Sequence, residues 1–318
     1  MKIIAEVGSN WATLEDCKKS IQLAKACGAD AVKFQLFDDI ALYGQPRTDR
    51  IFAEYNPLID KPQGVLPIEW LPILKEKADA FGIEFMCSAF SPELIEVVDP
   101  FVKTHKVASA ELTHVRMLEK LRAIRKPVIL STGASGDADI RMAIETLADT
   151  PVTLMYCVAE YPARIVSPGR IQGMHDTFGV DVGFSDHTTD VLCIPIMAMD
   201  AGATVIEKHV NFVGAQGPDA DYALTTDEFR IMCDGLRGNT IRAPAEKDMR
   251  LRHNRRLIAI RNIAVGETLK EGENFGIFRS LKDDTQALTP WVVNRVNGKM
   301  ALAAVKAGDG IGPNSVQL

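Results

Sequence analysis

Carboxylates, lysines, serines and histidines recur in this chain just where short apolar runs end. Ile3-Ile4-Ala5 leads into Glu6, Ala31-Val32 into Lys33 and then Gln35, and Phe85-Met86-Cys87 into Ser88. Lys106-Val107-Ala108 leads into Ser109, Val128-Ile129-Leu130 into Ser131, and Val152 to Leu154 into Met155-Tyr156-Cys157. Val182-Gly183-Phe184 leads to Ser185 and His187, and Val205-Ile206 to Glu207 and His209. Two neutral imidazoles suit a divalent ion. With only two such ligands, coordination positions stay open for water and substrate, which favours Lewis-acid chemistry over a closed structural site. Lys33 and Lys106 could clamp an anion, with Ser88, Ser109 and Ser131 as hydroxyl donors, although any one serine could equally be a cap. Glu6 and Glu207 could orient hydroxyls or move a proton. Their alternative is plain ion pairing with Lys33 or Lys208. Lys208 should point away from Glu207 by strand alternation, and is assigned a structural role.

Those eight runs need a frame that gathers them. Helix-like stretches separate them: Leu14 to Cys27 with Gly28 as a stop, Trp70 to Phe81 with Gly82, then Arg116 to Ile124, Asp139 to Leu147, Val191 to Met199 and Asp227 to Leu236. Alternating β and α elements predict an α/β chain, and eight strand candidates a (β/α)8 TIM barrel, whose strands all end on one rim. Residues 1–240 form that barrel. The segment Leu36 to Pro67 breaks the rhythm with prolines, glycines and aromatic residues, and is expected to be an ordered flap over the rim. Residues 241–256, with six basic residues and a proline, read as a linker. Residues 257–318 carry short β runs and turns and read as a small β-rich domain, a size of about 60 residues that is marginal alone.

A net charge of -6 argues against a nucleic-acid scaffold. No run of 18 apolar residues exists, so no membrane span is expected. Met1-Lys2 leads straight into a strand bearing a candidate site residue, so a cleaved signal peptide is not expected either. The six cysteines form no CxxC pair and read as reduced thiols of a cytoplasmic protein. Cys87 and Cys157, near strand ends, are read as buried filler.

Taken together in order, the stretches IIAEVGSN (3–10), VKFQLF (32–37), KVASAEL (106–112), ILSTGAS (129–135), CVAEYP (157–162), GFSDHT (183–188), IEKHV (206–210) and GPDADYAL (217–224) resemble the sialic acid synthase (N-acetylneuraminate synthase, NeuB-like) family. The tail resembles that family's antifreeze-like (SAF) domain through RRLIAIRNIAVGETL (255–269), FR (278–279) and VNGKMALAAVKAGDGI (296–311). The resemblance implies a TIM barrel with an antifreeze-like domain, acting as a domain-swapped homodimer. It implies condensation of phosphoenolpyruvate with the aldehyde of an N-acylated hexosamine such as N-acetylmannosamine, giving a nonulosonic acid and phosphate. By motif, Lys33, Ser88, Lys106, Ser109, Ser131 and Ser185 match the phosphoenolpyruvate site. His187 and His209 match the ligands of manganese or a similar ion, magnesium or cobalt included. Glu6, Gln35, Tyr161, Glu207 and Asp219 match acceptor-sugar contacts, Glu6 and Glu207 being the candidate catalytic pair. Arg279 matches an arginine sent from the partner's tail domain. The chain departs from the family where Trp11 follows Asn10 in place of a histidine, where Ala159 replaces an asparagine, and where no histidine follows the GPD loop. The competing readings are another metal-dependent barrel lyase or aldolase on a phosphorylated acid, and a non-catalytic sugar-binding homologue.

Overall fold

The structure, a computed structural model, describes residues 1–38, 42–44, 55–56, 58, 61–62, 64–217, 219–238, 255–279 and 286–317. Its contacts divide the chain into two units, Met1–Thr240 and Ile241–Leu318.

In the first unit eight parallel strands close on themselves: β1 (Lys2–Gly8), β2 (Ala31–Leu36), β3 (Glu84–Ala89), β4 (His105–Val107), β5 (Val128–Ser131), β6 (Val152–Cys157), β7 (Asp181–Asp186) and β8 (Val205–His209). Each pairs with its neighbour in sequence, and β8 returns to β1 with Glu6 opposite His209. The crossovers are α1 (Leu14–Ala26), α2 (Leu71–Phe81), α3 (Pro92–Val98), α4 (Val115–Ile124), α5 (Asp137–Leu147), α6 (Arg170–Phe178), α7 (Cys193–Asp200) and α8 (Thr226–Leu236). The chain is therefore a TIM barrel, as its periodicity predicts.

The local signals explain the boundaries. Thr13 and Asp16 cap α1 reciprocally, as Thr225 and Glu228 cap α8. Gly82 ends α2 in the left-handed region at φ 61°. α3 and α6 have no counterpart among the helices read from the sequence: α3 has seven residues, and α6 carries Gly173 in its middle.

Strand alternation sorts the side chains. Residues such as Ala5, Val32, Phe34, Phe85, Leu130, Phe184 and Ile206 face outward and form one large core with the helices. Inward residues form two tiers. The lower tier is a small apolar cluster of Ile4, Ala31, Met86, Ile129, Met155 and Val205. Gly183 belongs at that level because a Cβ there would come 2.6 Å from both Met155 Sδ and the Val205 carbonyl oxygen. Two residues further along each strand, the same face carries polar groups.

The second unit has its own core, built around Leu257, Leu269, Phe275, Val296 and Ile311. An antiparallel pair, β9 (Arg255–Ala259) and β10 (Phe275–Arg279), is flanked by isolated bridges, Ile263 with Val305 and Ile258 with Gly310. The sequence runs at 263–267, 302–305 and 308–312 thus contribute bridges, whereas Phe275–Arg279 is a strand that the pattern of runs missed. Arg255 and Arg256 open β9, so they belong to this unit; the rest of the expected 241–256 linker lies outside the described residues. So does most of the expected flap between Leu36 and Pro67, apart from a two-residue ladder pairing Tyr55–Asn56 with Lys61–Pro62 and a few neighbouring positions. No helix among the described residues is long and apolar enough to cross a membrane.

Candidate active site

The polar tier sits at the C-terminal ends of the strands and surrounds a small cavity of about 50 Å³. Glu6, Lys33, Gln35, Ser88, Lys106, Ser109, Ser131, Tyr161, Ser185, His187, Glu207 and His209 all line it. The ladder registers explain the convergence: Glu6 stands level with Lys33, Gln35 with Ser88, Ser88 with Lys106, Cys157 with Ser185, and Ser185 with Glu207. A wider depression of about 470 Å³, lined by Glu119, Arg122, Arg125 and Asp149, opens where β5 and β6 begin and contains none of these residues.

At the centre is a buried charge network. Lys33 Nζ lies 2.6 Å from Glu6 Oε2, 3.8 Å from Glu207 Oε2 and donates to Ser88 Oγ at 3.1 Å. Lys106 Nζ lies 3.4 Å from Glu207 Oε1 and donates to Ser131 Oγ at 2.8 Å. Gln35 Nε2 donates to Glu6 Oε1 at 2.7 Å, and Ser185 Oγ to Glu207 Oε1 at 3.2 Å. The carboxylates are thus ion-paired with the lysines rather than standing apart from them, and Glu6 realises the pairing with Lys33 that the sequence left open. Burial alone would push the Lys33 ammonium toward neutrality; the negative charges of Glu207 and Glu6 outweigh it and raise its pKa. Lys106 goes the other way, because its burial is only partly answered by Glu207. For Glu207 burial would raise the pKa, but Lys106 and Lys33 outweigh it and hold the carboxyl down at about 2. Two carboxylates against two ammoniums leave the network close to neutral, while each ammonium, with three N–H donors, keeps capacity for an added anion.

Ser109 lies in a turn directly after β4. Its Oγ accepts from the Gly133 amide at 3.1 Å and sits 3.0 Å from Cys157 Sγ. Gly133 has no room for a side chain: a Cβ would come 2.5 Å from that sulfur. Cys87 and Cys157 are buried free thiols, and burial pushes the Cys87 thiol well up.

The histidines occupy the β7–β8 side. His187 Nδ1 contacts the Val158 carbonyl oxygen at 2.7 Å, so the proton sits on Nδ1 and Nε2 keeps its lone pair. Burial, helped by His209, pushes its pKa down to about 3, so the ring is neutral. The His187 and His209 ring centroids are 5.6 Å apart. Tyr161 stacks on His187 at 4.2 Å, and Tyr222 meets His209 edge-on at 5.1 Å. Among the described residues, buried His209 Nδ1 has no hydrogen-bond partner. Among the described residues no set of three or more His, Cys, Asp or Glu is arranged to hold a metal ion. The pair nevertheless fits one: it offers two buried imidazoles that line the cavity, His187 among them fixed as a neutral Nε2 donor.

Behind this wall, Lys208 points outward, as alternation predicts. It is fully buried and binds Asp186 Oδ2 at 2.7 Å, the Thr188 carbonyl at 2.6 Å and the Asp190 carbonyl at 2.9 Å. It therefore pins the loop that carries His187.

One residue picked from the barrel sequence does not line the cavity. Asp219 lies beside it, 3.7 Å from His209 Nδ1. Arg279 is an exposed residue at the end of β10 in the second unit. Conversely, Phe90 and Ala108 line the cavity and Tyr222 borders it, none of them picked out. The only available signal for Tyr222 was its place three residues after Asp219. Of the departures, Trp11 turns into the outer core, donating from Nε1 to the Gly8 carbonyl and meeting Trp70 edge-on, and Ala159 is exposed in the loop after β6.

The family model described as NeuB family matches residues 20–244. Pseudaminic acid synthase of Helicobacter pylori is 27% identical over 340 aligned positions, covering 99% of this chain and 98% of that protein. N,N'-diacetyllegionaminic acid synthase of Legionella pneumophila is 32% identical over 269 positions, covering 77% of this chain and 74% of that protein. Among solved structures, the spore coat polysaccharide biosynthesis protein SpsE of Bacillus subtilis superposes with a TM-score of 0.64 at 26% identity, over 100% of this chain and 95% of that one. With eight strands ending in this polar tier and a family match across most of the barrel, the chain belongs to the NeuB family.

Proposed function

We propose that the chain joins phosphoenolpyruvate to the open-chain aldehyde of an N-acylated amino sugar, releasing phosphate and a nonulosonic acid. The observation that carries this reading is the one cavity in which two ammoniums, Lys33 and Lys106, and two imidazoles, His187 and His209, face the same space. The lysines and Ser88, Ser109, Ser131 and Ser185 make a subsite for a small, highly charged anion. The imidazole side, with Tyr161, Gln35 and Glu6, makes one for a polyhydroxylated partner. C3 of phosphoenolpyruvate forms the new bond to the aldehyde carbon, whose oxygen takes a proton. Water adds at C2, and the C2–O bond to phosphate breaks. Lys33 and Lys106 balance the charge of the leaving phosphate. Glu207, held ionised, orients the attacking water and receives its hydrogen bond. Holding both reactants at one rim supplies the orientation term.

His187 and His209 would hold a divalent ion, manganese by family resemblance, and that ion would polarise the aldehyde as a Lewis acid. Pseudaminic- and legionaminic-type acids, the products that similar proteins are named for, stand beside sialic acid as candidate product classes. The second unit, read as an antifreeze-like domain, would complete the site from a partner subunit through Arg279 in a cytoplasmic homodimer.

The test incubates the full chain with phosphoenolpyruvate, Mn2+ and a panel of mono- and di-N-acylated hexoses, following phosphate and product mass. Phosphate release that needs both substrates, with a product heavier than the sugar by a pyruvyl unit, is expected. Release without an aldose, or none with any acceptor, rejects the condensation.

A further inference from the structure

We infer that Asp219, braced by Tyr222, is a positioning residue for His209, and not chiefly a contact for the sugar. The inference rests on the reading that His187 and His209 hold a divalent ion.

Both carboxylate oxygens of Asp219 are already engaged. Oδ1 accepts the Tyr222 hydroxyl proton. Oδ2 accepts from the Ser9 amide at 3.3 Å and faces His209 Nδ1 at 3.7 Å. The β1 end is shaped for this group: Gly8 adopts φ 55°, and a Cβ there would come 2.4 Å from Asp219 Oδ2. Any side chain at position 8 would displace the carboxylate. Tyr222 in turn packs against the His209 ring, so one residue fixes both the acid and the imidazole it faces.

The chemistry follows from the tautomer. A carboxylate opposite Nδ1 favours the proton on that nitrogen and leaves the Nε2 lone pair for a metal. His187 has the same arrangement, with the Val158 carbonyl opposite its Nδ1 at 2.7 Å. Both rings would then present Nε2, each fixed from behind by an oxygen acceptor. Among the described residues buried His209 Nδ1 has no hydrogen-bond partner, and Asp219 Oδ2, 3.7 Å away, stands just outside hydrogen-bond distance, placed to close on it.

The test measures Mn2+ affinity of the metal-stripped full chain, without substrates, by electron paramagnetic resonance of the free ion. Asp219→Ala should weaken binding roughly 10- to 100-fold, the usual range for losing an outer-sphere partner. Tyr222→Phe, which keeps the carboxylate but loses its brace, should weaken it less, in the same direction, and it decides the matter if Asp219→Ala fails to fold. His209→Ala is the control. Wild-type affinity in His209→Ala removes the metal reading itself and this inference with it. Loss of binding in His209→Ala, with wild-type affinity in the other two variants and a raised KM for the sugar in Asp219→Ala, overturns the positioning role alone.

Discussion

Lys208→Met is the most exacting probe of how the site is supported. The side chain is fully buried, and its ammonium serves one carboxylate and two carbonyls, at 2.7, 2.6 and 2.9 Å. Methionine matches the length of the aliphatic stem but donates nothing. Asp186 keeps one hydrogen bond, from the Thr188 amide at 2.9 Å, and otherwise becomes an uncompensated buried charge. Breaking one side of such a pair costs about 3–5 kcal/mol. Burial already raises the Asp186 pKa against the opposing pull of Lys208, so protonation of the orphaned acid will absorb part of that cost. A loss of about 3 kcal/mol is therefore expected. The assay is urea denaturation followed by the fluorescence of Trp11 and Trp70, which touch each other in the barrel core, while the third tryptophan, Trp291, is 94% exposed. Replacing both partners, as Lys208→Met with Asp186→Leu, should be less destabilising than Lys208→Met alone, because no charge is left behind. A loss under about 1 kcal/mol in the single variant, or losses in the pair that simply add, would refute the account of a coupled buried ion pair.

Three further outcomes are expected. Lys106→Ala should weaken phosphoenolpyruvate binding by about 2–5 kcal/mol and sugar binding far less, since a buried charge partner of the anion is removed; calorimetry showing the reverse would exchange the two subsites. Mixing Arg279→Ala with Lys106→Ala subunits should restore activity if Arg279 is supplied across the dimer, because one site per heterodimer then lacks both defects. A confirmed heterodimer without rescue rejects the swap. His105, buried against Asp99 at 3.0 Å, has its pKa lowered by burial, with Asp99 opposing. The unfolded chain therefore binds the extra proton first, so stability falls as pH drops below about 6.5, and His105→Gln should flatten the Tm profile on the acid side of that pH.

The barrel was legible because its signal is redundant. Each strand announces itself twice, by an apolar outward face and by a polar residue at its end, and glycines at 28, 82 and 202 close the helices between. The helices that escaped, α3 and α6, are short or carry a glycine mid-helix, so spacing had too few turns to register. For the site, the residue types were readable and most of their meeting place followed from the fold. Their pairing was not. Whether Glu6 would serve a sugar or Lys33 depends on distances across neighbouring strands, which no one-dimensional pattern contains. Tyr222 escaped for a similar reason, since its role exists only through Asp219 and His209.

The two inward tiers have a consequence for how such a protein can change. A strand offers only one inward position at the height of the cavity floor, and all of those near the charge network are taken: Glu6, Lys33, Ser88, Lys106, Ser131, Ser185 and Glu207. Moving any of them by one residue turns it into the helix layer, and moving it by two drops it into the apolar tier of Ile4, Met86 and Val205 or lifts it toward the rim, where Gln35, His187 and His209 already stand. Novelty therefore has to arrive from the loops. Residues such as Phe90, Tyr161, Asp219 and Tyr222 stand on connections that can lengthen or exchange side chains without disturbing the ladder. The barrel behaves as a fixed reaction chamber with interchangeable doors, and differences in acceptor between relatives should map to those doors.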